Sequence, residues 1–157
     1  MIEVDVTSDM LVKAHAKSKE MGILHNSITT GDGNLVGFIG EQIAISVIGG
    51  KEQNTYDYDL VLDNGKTVDV KTKKTGYVPL PHYDCSVAAF NTKQKCDYYA
   101  FVRVKNDLSK GWFLGVFPKQ EYYQKARHLK KGDLDPANNY TVKADCYNMA
   151  ISDLQDM

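Results

Sequence analysis

Asp69-Val70-Lys71 sits inside a short run, Thr67 to Lys73, whose β-branched residues and alternating polarity predict a strand. Residues two apart in a strand point to one face. Thr67, Asp69, Lys71 and Lys73 therefore share a face, while Val68 and Val70 turn toward the core. A carboxylate and an ammonium are presented side by side from a rigid element. Asp59 and Glu41 can extend the acidic set. Hard oxygen ligands with no cysteine or histidine favour Mg²⁺, with Mn²⁺ as a substitute, over zinc. Asp59 and Asp69 are expected as direct ligands, the Val70 carbonyl as a third, and Glu41 as a ligand directly or through water. The chemistry such a set supports is metal-assisted phosphodiester hydrolysis. The cation would polarise the phosphate and lower the pKa of the attacking water. Lys71 would orient or deprotonate that water and stabilise the developing negative charge.

For Asp59 to join, the hairpin must have the right register. A two-residue Asn64-Gly65 loop would pair Asp59 with Val70 and aim it away. A three-residue loop, Asp63-Asn64-Gly65 with Gly65 left-handed, would pair Asp59 with Asp69. Two aspartates face to face repel on an ordinary sheet, and a divalent cation between them reverses that sign. The three-residue loop is therefore predicted. Asp57 has the same parity as Asp59 and is the alternative ligand; Asp59 is preferred because the apolar run Leu60-Val61-Leu62 begins directly after it.

The elements that must position these groups follow from pattern. Ser8 to Met21 reads as a helix capped by Ser8 or Thr7 and ended by Gly22, with Met10, Ala14 and Met21 near one stripe. Residues 22–34, with Thr29-Thr30-Gly31-Asp32-Gly33-Asn34, read as a loop. Asn34 to Ile48 is a second, largely buried helix stopped by Gly49-Gly50. Its Gly37, Gly40 and Ala44 would let another backbone come close. Glu41 lies in this apolar helix, where an unpaired carboxylate is costly to bury. Tyr58 to Leu62 and Thr67 to Lys73 form the hairpin. Thr75 to Asp84 is a loop; Tyr98 to Val104 and Trp112 to Phe117 are further strands joined by the turn Lys105 to Lys110. Pro118 should open a helix running to about His128 and closed by Lys130 to Asp133, and Tyr140 to Tyr147 alternates like a last strand. The order implies an α/β fold, a mixed sheet flanked by helices.

With these elements in place, Gly40-Glu41 on a helix, Asp59-Leu60-Val61-Leu62 on a strand and Asp69-Val70-Lys71 on the next resemble the PD-(D/E)XK nuclease superfamily. The resemblance covers roughly residues 35–104. Asp97-Tyr98-Tyr99 followed by Gly111-Trp112 looks like its compact phage-encoded members. It implies a restriction-endonuclease-like core over residues 1–157 and catalytic Glu41, Asp59, Asp69 and Lys71 cutting DNA. Tyr58 stands where a proline is common in that superfamily. Gln94-Lys95-Cys96-Asp97-Tyr98 fits the Q-x-x-x-Y pattern of its RecB-like exonucleases, where it helps place the substrate strand; a plain pre-strand loop is the competing reading. Lys73 and Lys74 are candidates for phosphate contact. Tyr77, His82 and Tyr83 could stack on bases or pack on the domain edge.

Composition sets the limits. The 157 residues suit one domain, and a net charge of −1 argues against a protein that coats nucleic acid by charge alone. Local basic runs exist, Lys66 with Lys71 to Lys74 and Lys125 to Lys131. No apolar run spans a bilayer, and the acidic start Met1 to Asp5 is unlike a signal peptide, so a cytoplasmic protein is expected. Cys85, Cys96 and Cys146 read as free thiols, and Trp112 as core. His25-Asn26 has no second motif that would make an HNH nuclease. The expected activity is a Mg²⁺-dependent deoxyribonuclease, alone, as a homodimer or with a partner protein. The alternative is a domain on the same fold that binds nucleic acid or protein without cleaving. Endonuclease and exonuclease action share these residues and stay open.

Overall fold

The computed structural model describes residues 1–25, 32–135 and 139–157. Its elements run β1 (Ile2–Asp5), α1 (Ser8–His25), α2 (Asp32–Ile48), β2 (Lys51–Glu52), β3 (Leu60–Val61), β4 (Thr67–Thr75), β5 (Asp84–Ala88), a 3₁₀ helix (Ala89–Lys93), β6 (Tyr98–Lys105), β7 (Lys110–Pro118), α3 (Lys119–Lys125), β8 (Arg127–Leu129), β9 (Leu134–Asp135), β10 (Tyr140–Thr141), β11 (Cys146–Ala150) and a 3₁₀ turn (Ile151–Asp153). The protein is α/β. A six-stranded mixed sheet is ordered β1-β7-β6-β4-β3-β2, with β4 and β6 parallel and the other neighbours antiparallel. A second sheet is ordered β5-β11-β8, and β9 and β10 form a short ribbon. No described helix is long and apolar enough to cross a membrane.

Strand alternation divides the interior in two. On β6, Ala100, Val102 and Val104 join Val68, Phe113 and Val116 beneath α1 and α2, with Ile39 and Ile43 of α2 fully buried there. Tyr99 and Phe101 point the other way, into a cluster with Trp112, Phe117, Tyr122 of α3, and Val87 and Met149 of the second sheet. Tyr122 stacks on Phe101 with centroids 5.6 Å apart. Each buried aromatic or branched side chain here contributes on the order of 1.5–3 kcal/mol. Asp69, Lys71 and Lys73 have the parity of the Tyr99 side, since Asp69 pairs with Tyr99, Lys71 with Phe101 and Lys73 with Arg103.

Several sequence expectations are corrected. Of the two candidate caps of α1, Thr7 serves, its hydroxyl accepting from the Met10 N–H at 3.2 Å. The helix continues through Gly22 to His25, because an interior glycine costs only about 1 kcal/mol and stops a helix only when it turns left-handed. Residues 32–34 are helical rather than loop; residues 26–31 of that expected loop lie outside the described residues. The Thr75 to Asp84 loop is present between β4 and β5, but β5 itself was not expected; its partner β11 lies some sixty residues on. Pro118 ends β7 and precedes α3, which stops at Lys125 as Ala126 becomes extended (φ −69°, ψ 152°). Arg127–Leu129 is then a strand beside β11. The expected last strand is split between β10 and β11. The N-terminal strand β1, signalled by the alternation of Ile2 and Val4, covers the edge of β7.

Candidate active site

The β3–β4 hairpin closes as its turn chemistry requires. The Gly65 N–H donates to the Leu62 carbonyl at 2.9 Å, the Leu62 N–H to the Lys66 carbonyl at 2.8 Å, and Gly65 has φ 84°. This is the three-residue loop Asp63-Asn64-Gly65. Leu60 then pairs with Val68 and Val61 with Thr67. The ladder stops one residue short of Asp59, however. The Asp59 N–H donates to the Val68 carbonyl at 2.9 Å, so Asp59 and Leu60 both face Val68 in the manner of a β-bulge. Asp59 is therefore not a ladder partner of Asp69. Its carboxylate instead accepts the Val70 N–H at 2.8 Å. Because a strand residue's N–H and C=O point to the same side, the Val70 carbonyl is directed toward Asp59 as well. Asp57 is engaged elsewhere, accepting the Lys95 N–H at 3.0 Å.

Glu41 is brought in by close helix–strand packing. A β-carbon on Gly40 would lie 2.7 Å from Thr72 Cγ2, so only glycine lets α2 rest on β4 here. Gly37, by contrast, would have nothing within 4 Å of an added β-carbon and makes no such approach. Glu41 is 5% exposed. Burial, reinforced by the neighbouring Asp59 carboxylate, pushes its pKa up to about 8 against the pull of Lys17. Burial and the charge of Asp69 push Asp59 up to about 6, opposed by the Val70 N–H, Lys71 and a side-chain hydrogen bond with Glu41. Three carboxylates from α2, the β3 approach and β4 thus share one buried neighbourhood.

Two lysines meet them. Lys71 Nζ lies 2.6 Å from Asp69 Oδ2 and 5.5 Å from the centre of the Tyr99 ring. Lys17 of α1, which sequence reading overlooked, is 3.1 Å from Glu41 and 2.7 Å from Glu52. Its signal was a charge on the stripe of Met10, Ala14 and Met21, of which Ala14 is 1% exposed. Asn54, with its amide nitrogen turned to Glu41, would donate to both carboxylate oxygens at 3.0 and 3.1 Å. Gln94 is 7% exposed and lies behind Asp69: its Nε2 donates to Asp69 Oδ1 at 3.3 Å and to the Tyr56 carbonyl at 3.0 Å, and its Oε1 accepts from Lys71 at 3.2 Å. Lys119 holds the Gln94 carbonyl. Gln94 is placed to position the pair, with both ends of its amide engaged. Lys73, Lys74 and Tyr77 follow along β4 and just beyond it; Lys74 is exposed, and Tyr77 is 81% exposed.

Among the described residues, no three acidic, histidine or cysteine side chains are gathered at metal-holding distance. The donor chemistry nonetheless fits a hard divalent cation. Glu41 and Asp69 are buried and Asp59 is half-buried between them, and Asp69 Oδ2, although ion-paired with Lys71, has no hydrogen-bond donor. The thiols do not compete: Cys96, near Asp69, and Cys85 are both pushed up to about 12 by burial, and Cys146 is half-buried. His128 stacks on Tyr147 at 4.4 Å, and Trp112 is core. No family model matches this chain, and a search of curated proteins finds no match either.

Proposed function

We propose that the protein is a Mg²⁺-dependent nuclease that hydrolyses DNA phosphodiesters, on a restriction-endonuclease-like core of the PD-(D/E)XK kind. The observation that carries this reading is a row of neighbouring carboxylates from three elements, Glu41 beside Asp59 and Asp59 beside Asp69, with Asp69 and Lys71 on one strand face. Burial and a neighbouring carboxylate raise the pKa of both Glu41 and Asp59, the kind of perturbation that clusters at functional sites.

Asp59, Asp69 and the Val70 carbonyl would hold Mg²⁺ or Mn²⁺, with Glu41 reaching it directly or through water. When bound, the cation supplies charge for the phosphate and acidity for a water. Asp69 holds Lys71 in reach of the scissile group, and Gln94 fixes the Lys71 ammonium and the Asp69 carboxylate relative to each other. Lys71 then orients the attacking water and meets negative charge as it develops. The Tyr99 ring beneath Lys71 adds a cation–π contact that keeps it in place.

A second reading is favoured by one observation: Lys17 already occupies Glu41 at 3.1 Å, as in a domain that binds without cleaving. Purified protein with Mg²⁺ or Mn²⁺, offered linear, nicked, branched and single-stranded DNA, separates the two. The nuclease reading expects cleavage that EDTA stops and that Asp69→Asn or Lys71→Ala reduces by at least about 10²-fold without unfolding. All four substrates remaining intact would leave the binding module as the account.

A further inference from the structure

Beyond Lys71 the same sheet face opens into a cavity. A small recess of about 150 Å³ is lined by Lys71, Lys73, Ser86 and Arg103. It shares Lys73, Ser86 and Arg103 with a larger cavity of about 600 Å³, also lined by Tyr83, Tyr140 and Asn148. The larger volume is that of sites which enclose small organic ligands, about 300–1,000 Å³. The second sheet forms one wall: Ser86 on β5 pairs with Asn148 on β11.

The polar groups in this cavity are only partly satisfied. Arg103 is 9% exposed, and its guanidinium donates to the Asp84 main-chain carbonyl at 2.7 Å. Among the described residues no carboxylate lies within 4.0 Å of it, and the Asp84 carboxylate acts on it only from farther away. A guanidinium so far out of water calls for an anion that can take its remaining donors. Lys73 lies beside it in register across β4 and β6. Asn148 Oδ1 is buried with no hydrogen-bond partner. The acids of the lining are held by other groups. Arg127 lies 2.6 Å from Asp84 and 3.2 Å from Asp135, and Asp145 accepts the Lys131 N–H at 2.8 Å. Lys73 and Arg103 line the space together, with the charge of Asp84, itself paired with Arg127, reaching both.

We propose that this cavity receives one unpaired nucleotide of the substrate strand, its phosphate between Lys73 and Arg103 and its base against Tyr83 and Tyr140. The inference rests on the nuclease reading, because the recess leads to Lys71. Lys71 and Lys73 are two strand residues apart, about 6.6 Å, so a backbone passing Lys71 meets Lys73 next. Tyrosine rings accept any base by stacking, and Asn148 supplies a group to meet a base edge. A paired base cannot leave its partner to enter this half-open cavity without unstacking. The substrate is therefore single-stranded, or is frayed or flipped at the point of cutting.

Binding measured without metal tests this separately from cleavage. In EDTA, a fluorescein-labelled ten-nucleotide DNA strand should bind more tightly than the same sequence as a duplex. Deoxyadenosine monophosphate should shift the NMR resonances of Arg103, Tyr83 and Tyr140. Arg103→Met should weaken strand binding about tenfold. Lys73→Ala should lower the slope of log K against log salt by about 1. Asn148→Ala removes an atom that has no partner in the free protein, so it serves as the variant least exposed to misfolding; it should weaken mononucleotide binding several-fold. Equal affinity for duplex and strand would overturn the proposal, as would unchanged binding in all three variants or shifts confined elsewhere. Strand binding at the cavity without metal-dependent cleavage would reject the nuclease reading and retain the site. Cleavage without cavity binding would do the reverse.

Discussion

Gly40 lies against Thr72 so closely that a β-carbon on the glycine would sit 2.8 Å from Thr72 Cβ and 2.7 Å from its Cγ2. This one approach sets the height of α2 over β4, and with it the reach of Glu41 toward Asp59. Gly40→Ala would force helix and strand apart. It should cost about 1–3 kcal/mol of stability, the usual range for overpacking. Cleavage should fall further than stability alone explains, because Glu41 moves. Adding Thr72→Ala removes the Cγ2 and Oγ1 clashes but leaves the Cβ contact, so it should restore only part of the melting temperature. Thermal unfolding of the two single variants and the double variant checks the coupling.

Gln94 ties Asp69 to Lys71 through opposite ends of one amide. Gln94→Leu keeps the volume and removes both bonds. It should reduce cleavage about 10–100-fold, the usual cost of losing a group that orients a ligand, with the loss carried by kcat and metal dependence rather than by DNA affinity. A variant with full activity would mean that Asp69 and Lys71 are oriented without it.

Protonation of the acidic cluster sets a pH dependence of the metal-free protein. Burial raises Glu41 from 4.5 to about 8 and Asp59 from 3.8 to about 6. The folded protein thus holds protons that the unfolded chain has released. The stability these groups contribute is fully present below about pH 4 and is lost as pH rises through 6 and then 8. A cation that binds the ionised carboxylates offsets that loss. The rise in melting temperature on replacing EDTA with Mg²⁺ should be larger at pH 8 than at pH 6. A larger rise at pH 6 would contradict the assignment of Glu41 and Asp59 to the cation.

Lys17 is a resident counter-charge for Glu41. Lys17→Met keeps much of the aliphatic stem over Phe38, whose ring centre lies 5.2 Å from the ammonium. Removing a positive charge beside the carboxylates should tighten Ca²⁺ or Mg²⁺ binding several-fold in calorimetry, since like charges near a site oppose a cation. The metal-free protein should become less stable, because Glu41 loses its partner. Weaker metal binding in this variant would place Lys17 in support of the cation rather than in competition with it.

The sequence by itself determined what depends on neighbours along the chain. Asp69 and Lys71 share a face because a strand has period two. Gly65 closes a three-residue loop because only that residue type takes φ 84° at no steric cost. The two long helices and the strands around Phe101 and Leu114 were legible because their apolar patterns repeat over many residues. Shorter elements were not. Arg127–Leu129 reads like a helix end, and becomes a strand only because β11 offers it a partner.

Tertiary structure decided the rest. Asp59 leaves the ladder because its carboxylate finds the Val70 N–H. Lys17 meets Glu41 from another helix, and Gln94 reaches Asp69 across 25 residues. Arg103 looks like an ordinary strand residue until the β5-β11-β8 sheet closes over it and makes a cavity. None of these contacts leaves a periodic trace, since the burial that makes them favourable exists only once distant segments have packed together.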